Sequence, residues 1–298
     1  MTLNPAVDKT YETTELMKGQ VNRMRSSISL AGGKGINVAK ILRQFDRQTA
    51  VTGFLGGYTG RMIEETMLKM GAECHFTRIA GETRTSINIL ADSGFVTEVL
   101  EPGPVVTPRE KEIFQQEFAY CLERAELVAV CGSVPPGIAP DFYSGLVTQC
   151  REAGKKVIVD TSGDLLREAV KSCPYMIKPN RREMEYLTGR KLRTIQDIAE
   201  EAHKLVDGGI GKVVVSLGDN GLLYVDGEYS IHMDALEVEA VNTVGCGDSV
   251  VASLCMSVLD GEEPQEALHK AIALSAANAV TRESGDIPMD IYREFLNR

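Results

Sequence analysis

The stretch Val241-Asn242-Thr243-Val244-Gly245-Cys246-Gly247-Asp248-Ser249 sets two glycines against one carboxylate. It stands directly ahead of an apolar run, Val250, Val251, Leu254, Val258 and Leu259, that reads as a helix. Glycines at a helix mouth let backbone N–H groups converge on an anion, and the positive end of the helix points the same way. A carboxylate in that mouth would repel a bound phosphate unless it serves as a base. Asp248 could take a proton from a hydroxyl while Gly245, Cys246 and Gly247 hold the phosphoryl group under attack. The competing reading is a tight turn with Asp248 as N-cap.

Four further motifs carry chemistry of the same kind. Ala31-Gly32-Gly33-Lys34-Gly35-Ile36-Asn37 joins three glycines and a lysine to the start of a helix, either an anion site or a plain strand-to-helix turn. Its spacing is not that of a Walker A loop, and no dinucleotide-binding Gly-x-Gly-x-x-Gly follows a strand. Cys131-Gly132-Ser133-Val134-Pro135-Pro136-Gly137 turns at the carboxyl end of a buried strand, where open α/β sheets bind ligands. In Lys178-Pro179-Asn180-Arg181-Arg182-Glu183, Asn180 and Glu183 share one helix face. They suit either Mg²⁺ held through water or a capping box. Ser216-Leu217-Gly218-Asp219-Asn220-Gly221 leaves a strand with glycines that admit a nucleotide.

The elements that must position these motifs alternate. Strands are expected at Ala50–Leu55, Leu127–Cys131, Lys156–Asp160, Tyr175–Lys178 and Lys212–Ser216. Helical repeats lie between them, such as Val38, Ile41, Leu42 and Phe45, and Ile195, Ile198, Ala202, Leu205 and Val206. This is the pattern of a doubly wound α/β domain with a mostly parallel sheet. Residues 9–31 and 83–103 break the rhythm, and 83–100 reads as a hairpin around Asp92-Ser93-Gly94. Neither has room for a crossover helix, so both are expected in a small sheet standing off one domain that spans 1–298.

Composition narrows the function. At 298 residues and 43% hydrophobic the chain can bury a large core, and no apolar run is long enough to span a membrane. The opening residues have no leader pattern, so a cytoplasmic location is expected. A net charge of −10 argues against nucleic acid and anionic membranes as partners. Phosphorylated ligands then require cations gathered locally. Seven scattered cysteines without metal spacing are expected to be reduced, and with four dispersed histidines they indicate no transition-metal site.

Taken in order, these motifs resemble the PfkB, ribokinase-like carbohydrate kinases, in the branch of 1-phosphofructokinase and tagatose-6-phosphate kinase. The most specific are Thr2-Leu3-Asn4-Pro5-Ala6-Val7-Asp8 and Thr243-Val244-Gly245-Cys246-Gly247-Asp248-Ser249. The resemblance implies ATP as phosphoryl donor, Mg²⁺, and a ketohexose monophosphate as acceptor. Fructose 1-phosphate, giving the 1,6-bisphosphate, is the first expectation and tagatose 6-phosphate the alternative; a non-catalytic sugar-phosphate sensor is a third reading. It implies Asp248 as base and Gly245, Cys246 and Gly247 as anion hole. Asp8, Gly33, Asn37 and Ser133 would bind the sugar, and Lys34 and Arg84 its phosphate. Lys178, Asn180, Glu183, Ser216, Gly218, Gly221 and Asn278 would bind the nucleotide, with Mg²⁺ near Glu183. The segments 9–31 and 83–103 would form a β lid that also pairs two copies into a homodimer. Two departures stand out. The first strand is clipped to Thr2-Leu3, and Cys246, at a positive helix end, is expected to have a lowered thiol pKa and high reactivity.

Overall fold

Continuous apolar strands need cover on both faces, and the computed structural model, which describes residues 1–298, supplies it. In chain order the elements begin with β1 (Ala6–Thr13), β2 (Ser26–Gly32), α1 (Lys34–Gln44), β3 (Ala50–Leu55), α2 (Gly57–Lys69) and β4 (Glu73–Arg78). They continue with β5 (Thr85–Ala91), β6 (Val96–Leu100), α3 (Pro108–Arg124), β7 (Leu127–Cys131), α4 (Phe142–Glu152) and β8 (Lys156–Asp160). Next come α5 (Gly163–Val170), β9 (Met176–Ile177), α6 (Arg181–Thr188), α7 (Ile195–Asp207) and β10 (Lys212–Ser216). The chain closes with β11 (Leu222–Val225), β12 (Ser230–Met233), α8 (Cys246–Asp260), α9 (Pro264–Ala279) and α10 (Met289–Phe295).

The main sheet runs β12-β11-β10-β9-β8-β7, parallel from β7 to β10 and antiparallel beyond. Alternate residues of one strand serve opposite cores. Val157, Val159, Val213 and Val215 pack into the core with α3 to α7, while Ile158 and Val214 pack with α1, α8 and α9. Four expected strands match β3, β7, β8 and β10 residue for residue, but Tyr175–Lys178 contracts to Met176–Ile177 because Pro179 closes the ladder. The hairpin β11–β12 was not anticipated.

Met1–Asn4 links this sheet to the parallel pair β3–β4. Met1 donates to Ala129 O at 2.7 Å, Cys131 N donates to Met1 O at 3.1 Å, and Thr2 N donates to Thr52 O at 3.0 Å. Gly53 permits this, since a Cβ there would stand 1.8 Å from Thr2 O. Behind Met1 the edges of β3 and β7 separate around a cavity of about 690 Å³, lined by Val38 and Leu42 on one face and Phe118 and Leu122 on the other.

A second sheet, β2-β1-β5-β6, stands off the main domain. Its strands lie within 6–13, 26–32, 85–91 and 96–100, so β1 begins ahead of residue 9. Val7 and Ala31 root it in a small core with α2 residues Ile63 and Met67. Arg25, just ahead of β2, pairs with Asp92, just past β5.

Candidate active site

Helix α8 begins at Gly245, whose φ of 87° and a neighbour, Ser284, at 3.0 Å from any added Cβ both select glycine. Asp248 does not cap the helix. Its Oδ2 accepts from Asn37 Nδ2 at 2.9 Å, and the residue is 6% exposed. Burial pushes its pKa up to about 6, Lys34 pulls it down, and Asp160 adds a further push upward. Asn37 keeps a buried Oδ1 without a partner, leaving a free acceptor beside this carboxylate.

Three charges converge next to it. Lys34, the first residue of α1, places Nζ 2.9 Å from Asp160 Oδ2, and Lys178, just past β9, places Nζ 3.2 Å from Asp160 Oδ1. Asp160 is fully buried at the carboxyl end of β8. Burial opposes its charge, but Lys178 and Lys34 outweigh that and hold its pKa below the usual value. Burial likewise opposes the Lys34 charge, and Asp160 and Asp248 more than offset it. A Cβ on Gly247 would come within 3.4 Å of Lys178 Nζ, so the two ammonium groups and the opening turn of α8 share one space. Asp160 was missed from sequence. Its signal was available: a carboxylate ending the apolar run Val157-Ile158-Val159, at the end of the sheet where ligands bind.

The small sheet borders this centre. Asp8 Oδ2 accepts from Gly33 N at 3.4 Å, and a side chain on Gly32 would overlap the Asp8 carboxylate. Burial, above all, pushes the Asp8 pKa up to about 6. Ser133 Oγ accepts from Asn4 Nδ2 at 3.2 Å. Arg84 spends two donors on backbone, to Asn4 O at 3.1 Å and Glu101 O at 3.0 Å. The expected pairing of Lys34 with Arg84 on the substrate's phosphate is not what the bonding shows: Lys34 is committed to Asp160 at the α8 end, while Arg84 bonds the backbone of Asn4 and Glu101.

On the far side, Ser216, Gly218, Gly221, Cys246 and Gly247 line a cavity of about 560 Å³ whose apolar wall includes Val250 and Ile272. Asn180 and Glu183 form the capping box of α6: Asn180 Oδ1 accepts from Glu183 N at 2.9 Å and Glu183 Oε2 accepts from Asn180 N at 2.8 Å. Two expectations need correction. Asn278 is fully buried and does not line the cavity; it donates to Val244 O and accepts from Gly285 N, both at 3.0 Å, tying down the loop before α8. The Cys246 thiol is not activated, because burial raises its pKa despite the helix terminus. No group of three or more His, Cys, Asp or Glu side chains could hold a metal unaided. Glu183 keeps one carboxylate oxygen outside the capping box, which suits an ion that brings most of its ligands as phosphate and water, the habit of Mg²⁺.

The model of the pfkB family of carbohydrate kinases matches residues 1–291. The chain belongs to that family. Over 282 residues it is 35% identical to a 1-phosphofructokinase of Vibrio cholerae serotype O1, covering 95% of this chain and 89% of that one. Phosphofructokinase-2 of Escherichia coli, solved with substrates and products, superposes with a TM-score of 0.90 at 27% identity, covering 100% of this chain and 99% of that one. A protein of Thermotoga maritima described as a possible 1-phosphofructokinase gives 0.90 at 26% identity, covering 99% and 96%. In this carbohydrate kinase the buried carboxylate and the paired lysines gather at the opening turn of α8.

Proposed function

We propose that this kinase transfers the γ-phosphoryl group of ATP to fructose 1-phosphate. The observation that carries the reading is the match along 95% of the chain to the Vibrio 1-phosphofructokinase, which favours it over the tagatose 6-phosphate alternative. Asp248 accepts the proton of the attacking hydroxyl; with a pKa near 6 it is mostly ionised at neutral pH, yet basic enough to work. The first-turn amides of Cys246 and Gly247, with Lys34 and Lys178, receive charge on the transferring phosphoryl. Asp8, Gly33, Asn37 and Ser133 hold sugar hydroxyls, and Arg84 lies toward the substrate's own phosphate. The cavity at Ser216, Gly218 and Gly221 takes the nucleotide. Glu183 would hold Mg²⁺ through water, and the ion bound with ATP would supply charge neutralisation at the phosphates.

Retention of Asp248, Gly245 and Gly247 weighs against a non-catalytic sensor. A lid-mediated homodimer finds support in Val21 and Phe95, which are 81% and 77% exposed on the small sheet's loops. Light scattering of a Phe95→Glu variant tests it, with conversion to monomer expected. The functional test is ADP release with ATP, Mg²⁺ and each of fructose 1-phosphate, tagatose 6-phosphate, fructose 6-phosphate and fructose. Fructose 1-phosphate should show the highest kcat/KM; preference for another sugar would overturn the assignment.

A further inference from the structure

We propose that Asn88 is a sugar-binding residue of the lid, its carboxamide oxygen accepting a hydrogen bond from a substrate hydroxyl; the proposal rests on the sugar-phosphate reading above. Asn88 is 6% exposed, and its Oδ1 has no hydrogen-bond partner. Buried polar atoms are almost always paired, so a vacant acceptor is a position kept for something else.

The register of the lid shows where that acceptor faces. On β1, Asp8 reaches the body at Gly33, and Glu12 reaches it at Arg282, 3.5 Å away. Both side chains therefore lie on the face that looks at the catalytic domain. Thr10 stands between them and shares that face by the two-residue period of a strand. Asn88 is the β5 partner of Thr10, just as Ser86 is the partner of Asp8. Paired residues of adjacent strands project to the same side, so Asn88 occupies the inner face, one repeat outward from Asp8 and short of the Glu12–Arg282 bridge. Two strand residues advance about 6.6 Å, comparable to the length of a hexose chain. A ligand gripped by Asp8 thus extends past Asn88 in the direction of the rim.

The chemistry of the group fixes its partner. A carboxamide oxygen needs a donor. Phosphate oxygens at neutral pH offer none, whereas sugar hydroxyls do. Asn88 therefore reads the polyol and not the phosphate. This is a separate role from that of Asn37, whose amide nitrogen is occupied by Asp248.

The experiment pairs kinetics with ligand-free stability. Asn88→Leu removes the acceptor at nearly constant volume. Its KM for the sugar phosphate should rise about tenfold, the effect of one neutral hydrogen bond lost, with KM for ATP unchanged. Without ligand its melting temperature should equal or exceed that of the parent, because no bond is lost in the apoprotein. A lower melting temperature with unchanged sugar KM would make Asn88 structural and overturn the proposal. If no sugar phosphate is turned over by the parent protein, the functional assignment fails. The ligand-free melting comparison still decides whether the Asn88 acceptor is vacant: a loss of stability in Asn88→Leu overturns the inference, and a gain upholds a vacant acceptor kept for another hydroxyl ligand.

Discussion

Replacing Asp248 by Asn should stabilise the protein while stopping catalysis. The folded chain holds this carboxylate 6% exposed, and burial lifts its pKa from 3.8 to about 6. That rise corresponds to roughly 3 kcal/mol of destabilisation when the group is ionised. The folded state binds the proton more tightly than the unfolded chain does. Stability from this group is therefore complete below about pH 4, declines as pH rises, and is fully lost somewhat above pH 6. Asn retains an oxygen for the bond from Asn37 Nδ2 and carries no charge. In thermal unfolding without ligands, Asp248→Asn should melt about 5 °C above the parent at pH 8, given the unfolding entropy of 298 residues. At pH 5 the gain should shrink to roughly half. Turnover should fall ~10²–10⁴-fold, the usual contribution of a general base. A melting difference that is negative at pH 8, or that does not change with pH, would refute the claim that this carboxylate is held against its solvation.

Asp8 and Asp248 both titrate near pH 6, so kcat/KM between pH 5 and 6 should fall with a limiting slope approaching two. In Asp8→Asn the residual activity should lose one unit of that slope, and substrate phosphate ionisation, near pH 6 in both proteins, cancels in the comparison. Asp160→Asn should lower stability by about 3–5 kcal/mol in urea titration, because Lys178, 3% exposed, would lose its counter-charge; a loss below about 1 kcal/mol would contradict the ion-pair assignment.

The doubly wound body was legible because its signals are local and repeated. Runs such as Val157-Ile158-Val159 and Val213-Val214-Val215 admit few readings when helical repeats separate them. The glycine turn that opens α8 was equally plain, since only glycine tolerates the Gly245 backbone and the close neighbours of that turn. What escaped depends on distance in sequence. Lys34 and Asp160 are 126 residues apart, and no spacing rule connects them. The Cys246 thiol was misjudged because the helix terminus is visible in sequence, while the burial that outweighs its hydrogen bonds to Ser275 and Asn278 is not. Asn278 was assigned to the nucleotide on resemblance, but its hydrogen bonds hold the loop that shapes the site.

The placement of Asp160 explains how a chain of net charge −10 can handle two phosphorylated ligands. Surface carboxylates repel such ligands only over a Debye length of about 8 Å at physiological salt. The decisive charges are inside: Lys34 and Lys178 share Asp160, and Lys34 also interacts with Asp248. Without Asp160, the buried Lys178 ammonium and the partly exposed Lys34 ammonium would repel each other and move apart. With it, both are held in place, and each ammonium retains further N–H donors for phosphate oxygens. Because they are positioned before the ligand arrives, little reorganisation accompanies the build-up of transition-state charge. Asp160 and Asp248 then do opposite things with the same functional group. One is held ionised by two cations and organises the site; the other is raised toward neutrality by burial and can take a proton.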